Sequence, residues 1–200
     1  MTFISTIEEL ESHYGTPSEA SLVKVAGHLT PLYREWIMAS RFCVLTTVGP
    51  EGTDGSPRRD VGPVVTEIDP QTLAMPDWRG NNRMDSLRNI VTDGRVSLMF
   101  MVPGSTTIVR VNGQARLTAD ADMCQRFEQA GAQPRTVILI KISEVYTQCA
   151  RAVMRAELWP DTPKPDLPTA GDILAEMTDG RINGQAYDKA WPDRAKSSMW

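Results

Sequence analysis

The sequence predicts an α+β fold, mostly β, built as a closed or split antiparallel barrel with helices at its N-terminus and a helical C-terminal tail. Three observations carry this. Apolar, β-branched runs of strand length recur at 42–48, 96–102, 106–118 and 136–140. Turn residues rather than long helices separate most of them, which favours hairpins over a doubly wound sheet. The two ends of the chain instead carry apolar residues at helical spacing.

Residues 1–40 read as helical. Ser5 is placed to cap a segment over 7–14, Thr16-Pro17 opens a second through Val25, and Thr30-Pro31 opens a third. In that third segment Leu32, Trp36 and Ile37 recur at helical spacing. The period then changes to that of a strand over 42–48, closed by the hairpin turn Gly49-Pro50-Glu51-Gly52. Residues 56–61 open the next strand, with Arg58 and Asp60 on one face and Arg59 on the other. Further strands are expected over 61–68 and 72–75. Within 106–118, Val109, Val111, Ala115 and Leu117 share a face, and Asn112-Gly113 marks a bulge. The run 136–140 is apolar on both faces and so should be central. Helices are expected over 82–91 and 119–130. In the first, Met84, Leu87, Ile90 and Val91 should face the barrel. A proline-rich linker over 160–170 precedes short helices at 169–178 and 184–199, too poor in apolar residues to fold alone. They should dock on the barrel or on a partner subunit. The chain is thus expected to be one domain: a helical segment at 1–40, a barrel at 41–159, and a linker and tail at 160–200.

Composition removes several classes of function. A net charge of -4 provides no general field for nucleic acid. No apolar run has the length of a membrane span, and the N-terminus lacks a basic-then-apolar leader pattern. The three cysteines have no metal-ligand spacing and suit free thiols, so a cytoplasmic protein without a bound metal is expected. His13 and His28 both lie in the helical N-terminus, which removes histidine chemistry from the barrel.

Two segments remain, 55–62 and 75–89, each placing arginines and small polar residues at a turn. The second runs into a helix whose first turn should present Asn82, Arg83 and Ser86 together. A helix N-terminus is an anion site, and an arginine fork adds a fixed positive charge. Asp77-Trp78-Arg79-Gly80 spends a tryptophan and an arginine on the preceding loop. The pair reads as a clamp for a phosphate-bearing cofactor. Further on, Arg151 and Arg155 lie one helical turn apart, making a small basic patch beside Cys149. Cys149 itself reads as a buried structural thiol, with an activated redox thiol near the helix N-terminus and Arg151 as the alternative.

These motifs, with Arg110-Val111-Asn112-Gly113 and Cys149-Ala150-Arg151-Ala152, resemble the pyridoxamine phosphate oxidase-like flavoproteins over roughly 40–159. The likeness is closest to a subgroup of FMN-dependent enzymes without an assigned substrate. The resemblance implies an FMN-binding split β-barrel, and a homodimer with FMN at the subunit interface. Arg58 and Arg59 would lie along the ribityl chain and phosphate, with the backbone near Asp60 and Val61 beside the flavin ring. Asp77, Asn81, Ser86 and Arg110 join the cofactor-binding candidates, and Arg151 would face the flavin or substrate. Asn82 and Arg83 match a basic pair that grips the phosphate, with Asn in place of one basic residue. Ile108 stands where characterised members favour a polar ring contact. The arginine and histidine that bind the vitamin near their C-terminus have no clear counterpart, which points away from vitamin interconversion. The implied activity is flavin redox chemistry on an unassigned small molecule. The alternatives are a flavin-binding or storage module without turnover, and a split barrel using a deazaflavin or haem. The histidine count weighs against haem.

Overall fold

A computed structural model describes residues 1–159 and 169–197, so most of the expected linker and the final residues of the tail lie outside it. Three short helices come first: α1 (Ile7–Ser12), α2 (Glu19–Val23) and α3 (Pro31–Met38). Thr30 caps α3 and Pro31 takes its first turn, as the sequence predicts. Thr6 rather than Ser5 caps α1, its hydroxyl accepting from Glu9 N at 3.1 Å, while Ser5 N donates to the Glu9 carboxylate.

The body is a seven-stranded sheet of β1 (Phe42–Gly49), β2 (Gly52–Arg59), β3 (Thr66–Asp69), β4 (Thr72–Asp77), β5 (Arg95–Met101), β6 (Ile108–Thr118) and β7 (Thr136–Gln148). Its spatial order is β2-β1-β5-β6-β7-β4-β3, and every neighbouring pair is antiparallel. With its flanking helices this is the mostly-β split barrel the sequence predicts.

Alternation builds the main core. Cys43, Leu45, Val96, Leu98, Phe100, Val109 and Val111 point inward from β1, β5 and β6, joined by Ile37 of α3. The strand β7 lies between β6 and β4, and its two faces serve different cores. Ile138 and Ile140 enter the main cluster, whereas Val137 enters a smaller one with Ala74 and Cys124. The second cluster is covered by α5 (Ala121–Gln125), which explains why this stretch is apolar on both faces. The expected bulge falls at Asn112/Gly113. A Cβ on Gly113 would sit 2.1 Å from the Lys141 carbonyl oxygen, so the bulge admits only glycine without a backbone shift.

Four expectations are corrected. First, residues 56–61 end a strand instead of opening one. The whole of 52–59 pairs with β1, after which the chain bends through 60–65 and buries Val64 and Val65. Gly62-Pro63 interrupts the ladder here, because proline has no N–H to donate. Second, α4 (Asp85–Thr92) starts three residues late, since Asn82 (φ 62°) and Met84 (φ 60°) are left-handed. The helix therefore packs through Ser86, Leu87 and Ile90, leaving Met84 48% and Val91 73% exposed. Third, the helix expected over 119–130 is only α5, because Ala130 (φ 51°) and Gly131 (φ 78°) turn the chain into a local bridge between Gln129 and Ala132. Fourth, Cys149 is exposed ahead of the short α6 (Arg151–Arg155). Beyond it, α7 (Ala170–Met177) and α8 (Gly184–Ser197) form a helical hairpin, tied where Asp188 accepts from Gly171 N at 2.9 Å. Among the described residues no helix is long and apolar enough to cross a membrane.

Candidate functional site

The sheet order puts β2 at one edge and β4 next to the other. An ion pair crosses between them: Arg58 Nη1 lies 2.5 Å from Asp77 Oδ1, with both side chains under one-fifth exposed. A cleft of about 730 Å³ opens along this seam. Its walls are the inner face of β2 (Asp54, Ser56 and Arg58), the end of β4, the loop 78–84, the start of α4, and Arg135 and Thr136 at the start of β7. The fold thus brings both arginine-bearing segments to one place.

The loop 78–84 is held from both ends. Asp60 is buried, and its carboxylate accepts from Trp78 Nε1 (2.9 Å), Gln129 Nε2 (2.9 Å) and Val61 N (2.7 Å). Three donors occupy this carboxylate, which therefore fixes the loop rather than meeting a ligand. At the far end Asn81 Oδ1 accepts from Arg83 N at 3.1 Å, an Asx turn that sets up the left-handed Asn82.

The start of α4 differs from the clamp the sequence suggests. Arg83 precedes the helix and pairs with Asp85 at 2.9 Å, both side chains well exposed. The Ser86 hydroxyl donates to the Asp54 carboxylate. The first turn of α4 carries its own acid, Asp85, already paired with Arg83. Asn82 instead bonds to Arg135, whose Nη1 donates to Asn82 Oδ1 at 3.1 Å.

Formal charge still favours an anion. Five arginines (58, 59, 79, 83 and 135) line the cleft against the aspartates 54, 77 and 85, leaving two positive charges. Two of its lining residues carry a side-chain atom that is buried without a hydrogen-bond partner, Arg58 Nε and Thr136 Oγ1. Burying such atoms unpaired costs about 1–3 kcal/mol each, so a ligand that supplies acceptors gains from them. Cys43 lies opposite Arg58 in the β1–β2 ladder. Burial pushes its thiol up to about 12, against a smaller downward pull from Arg58, so it is an inert neutral group.

Of the residues singled out from sequence, Arg58, Arg59, Asp77, Asn81, Asn82, Arg83 and Ser86 line the cleft. Asp60 and Val61 lie just outside its lining, and Arg110 and Arg151 lie away from it. Arg110 stacks over the Tyr146 ring at 5.0 Å and donates to its hydroxyl, leaving Arg110 Nε buried and unpaired. Arg151 is exposed on α6. Sequence reasoning missed Asp54, Arg135 and Thr136, whereas Ser56 falls within the segment 55–62. Only the basic residue immediately before the β7 apolar run offered a signal, and alone it reads as a solvated strand end.

The fold is a split barrel with a cationic cleft along its seam. The chain belongs to the pyridoxamine 5'-phosphate oxidase family, whose sequence pattern matches residues 29–149. No curated protein matches it. Among solved structures, HupZ of Group A Streptococcus is 15% identical, over 60% of this chain and 93% of its own, with a TM-score of 0.49. An FMN-binding protein of Syntrophomonas wolfei is also 15% identical, over 58% and 88%, with a TM-score of 0.43. An F420 reductase is 16% identical, over 58% and 98%, with a TM-score of 0.44.

Proposed function

We propose that the chain is an FMN-binding oxidoreductase acting on a small molecule, with the seam cleft as its cofactor site. The observation that carries this reading is the cleft's two net positive charges, set beside two orphaned buried polar atoms. A phosphate monoester brings close to two negative charges and three acceptor oxygens, which matches that surplus. Val64, Met75 and Leu87 add apolar wall, as a flavin ring requires.

In this reading Arg58 and Arg59 of β2, Asn81, Asn82 and Arg83 of the loop, and Ser86 of α4 form the cofactor's surroundings. Asp77 holds the Arg58 fork in place, and Asp60 and Val61 act one step back by anchoring Trp78. Bound FMN would supply the hydride or electron transfer. Each cleft carboxylate already has a partner: Asp54 with Ser86, Asp77 with Arg58, and Asp85 with Arg83. The chain's own contribution is accordingly to bind, orient and exclude water, with no side chain assigned to proton transfer.

Arg110 and Arg151 reach a cofactor only across a subunit boundary, and we assign them to a homodimer with FMN at its interface. A groove of about 420 Å³ lined by Val23, Leu32, Tyr33, Trp36 and Val109 supports that assembly. Leu32 is 77% and Val23 71% exposed in the single chain, an apolar surface suited to a partner. We place the protein in the cytoplasm, where the free thiols Cys43, Cys124 and Cys149 stay reduced.

Purified protein is expected to carry FMN, or to take it up, and to be bleached anaerobically by a reduced nicotinamide or another donor. Mass spectrometry of the released cofactor checks this. A protein that takes up no flavin contradicts the cofactor assignment; one that binds FMN yet bleaches with no donor contradicts the enzymatic one.

A further inference from the structure

We infer that Arg135, held by Asn82, supplies the cation that recognises the ligand's phosphate, so that the anion receptor of the cleft is built across two distant segments. The inference rests on the flavin reading for the identity of its ligand, but on charge bookkeeping for its location. Arg58 is matched by Asp77, and Arg83 by Asp85, so neither brings net charge to an incoming anion, and Arg59 is engaged in an interaction of its own. Arg135 has a neutral partner, the Asn82 side-chain oxygen, and that bond uses one of its five N–H donors. The rest of its fork and its full charge stay available. Arg79 also lines the cleft, but it is exposed and makes no hydrogen bond or ion pair among the described residues, so ordering it costs more entropy.

Two further observations converge on the same corner. Thr136, the next residue, also lines the cleft and carries a buried hydroxyl without a hydrogen-bond partner. Asn82 is left-handed, φ 62°, a conformation that asparagine accepts more readily than most residues. That geometry allows its side chain to meet a residue 53 positions away. Asn82 thus serves as a positioning residue, holding the arginine that precedes β7 against the loop 78–84.

The test is a fluorescence titration of FMN and riboflavin into the wild type and into R135A, R135K, N82A and N82A/R135A, with thermal melts confirming that each is folded. Arg135 is exposed and outside both cores, so R135A is expected to melt like the wild type. Losing a charge-assisted phosphate contact should weaken FMN about 10- to 100-fold in R135A and leave riboflavin unchanged, with R135K intermediate. N82A should weaken FMN by roughly 3-fold, and the double variant should be no weaker than R135A, because the two act as a unit. Wild-type FMN affinity in R135A, or an equal loss for riboflavin, overturns the assignment; strictly additive losses overturn the positioning role. If the wild type takes up neither flavin, the functional reading fails, and thermal melts with pyrophosphate decide the inference separately. Stabilisation lost in R135A supports it, and equal shifts in both proteins overturn it.

Discussion

Asp60 is the residue on which the cleft depends without touching what it holds. It looks like an acidic neighbour of two arginines in the sequence, and a ligand contact is the natural reading. Its carboxylate is in fact spent on Trp78, Gln129 and its own following N–H. Removing it takes away the acceptor for the half-buried Trp78 Nε1 and Gln129 Nε2 and frees the loop 78–84. D60A should lower unfolding free energy by about 1–3 kcal/mol, the scale of losing hydrogen bonds to a buried charged group. Chemical denaturation measures that loss, and a change under 0.5 kcal/mol would remove Asp60 from this role. Arg58 and Arg83 were legible in the sequence because arginines beside glycine and asparagine are conspicuous. Their neutralisation by Asp77 and Asp85 was not, since the first of those pairs depends on how the sheet curls.

At the scale of elements, the legible strands were those whose side chains do the packing. The β-branched and apolar alternation of β1, β5 and β6 states both their period and their buried face. By contrast β2 reads Gly-Thr-Asp-Gly-Ser-Pro-Arg-Arg and has no such signal. It is a strand because the tight turn after Gly49 lays it along β1, and because Asp54, Ser56 and Arg58 then line the cleft. The start of α4 was misplaced for a related reason, since spacing alone does not reveal the left-handed Asn82 and Met84. The β6 bulge was legible from Asn-Gly, and its close approach to β7 makes a demanding prediction. G113A should destabilise by about 2–3 kcal/mol, because the added methyl meets backbone that cannot move alone. A thermal melt coincident with the wild type would refute that packing.

For the whole molecule, the barrel was predictable and the corner of the cleft near Arg135 was not. Contacts such as Arg135 with Asn82 join distant segments, and no local period encodes them. The assembly is the other property of this scale. Val23, Val25 and Leu32 expose apolar surface around the groove beside α3. Replacing Leu32, which packs little within its own chain, with aspartate should leave the fold intact and shift a dimer towards monomer. Light scattering after size exclusion checks this, and a monomeric wild type would contradict the dimer.

The central claim is that the seam of the split barrel is a flavin phosphate site. A crystal structure of the protein with FMN tests it most directly. The account predicts the phosphate within hydrogen-bonding distance of Arg135 and Thr136, between the loop 78–84 and the end of β2. FMN seated elsewhere, with no part of it in this cleft, would contradict it.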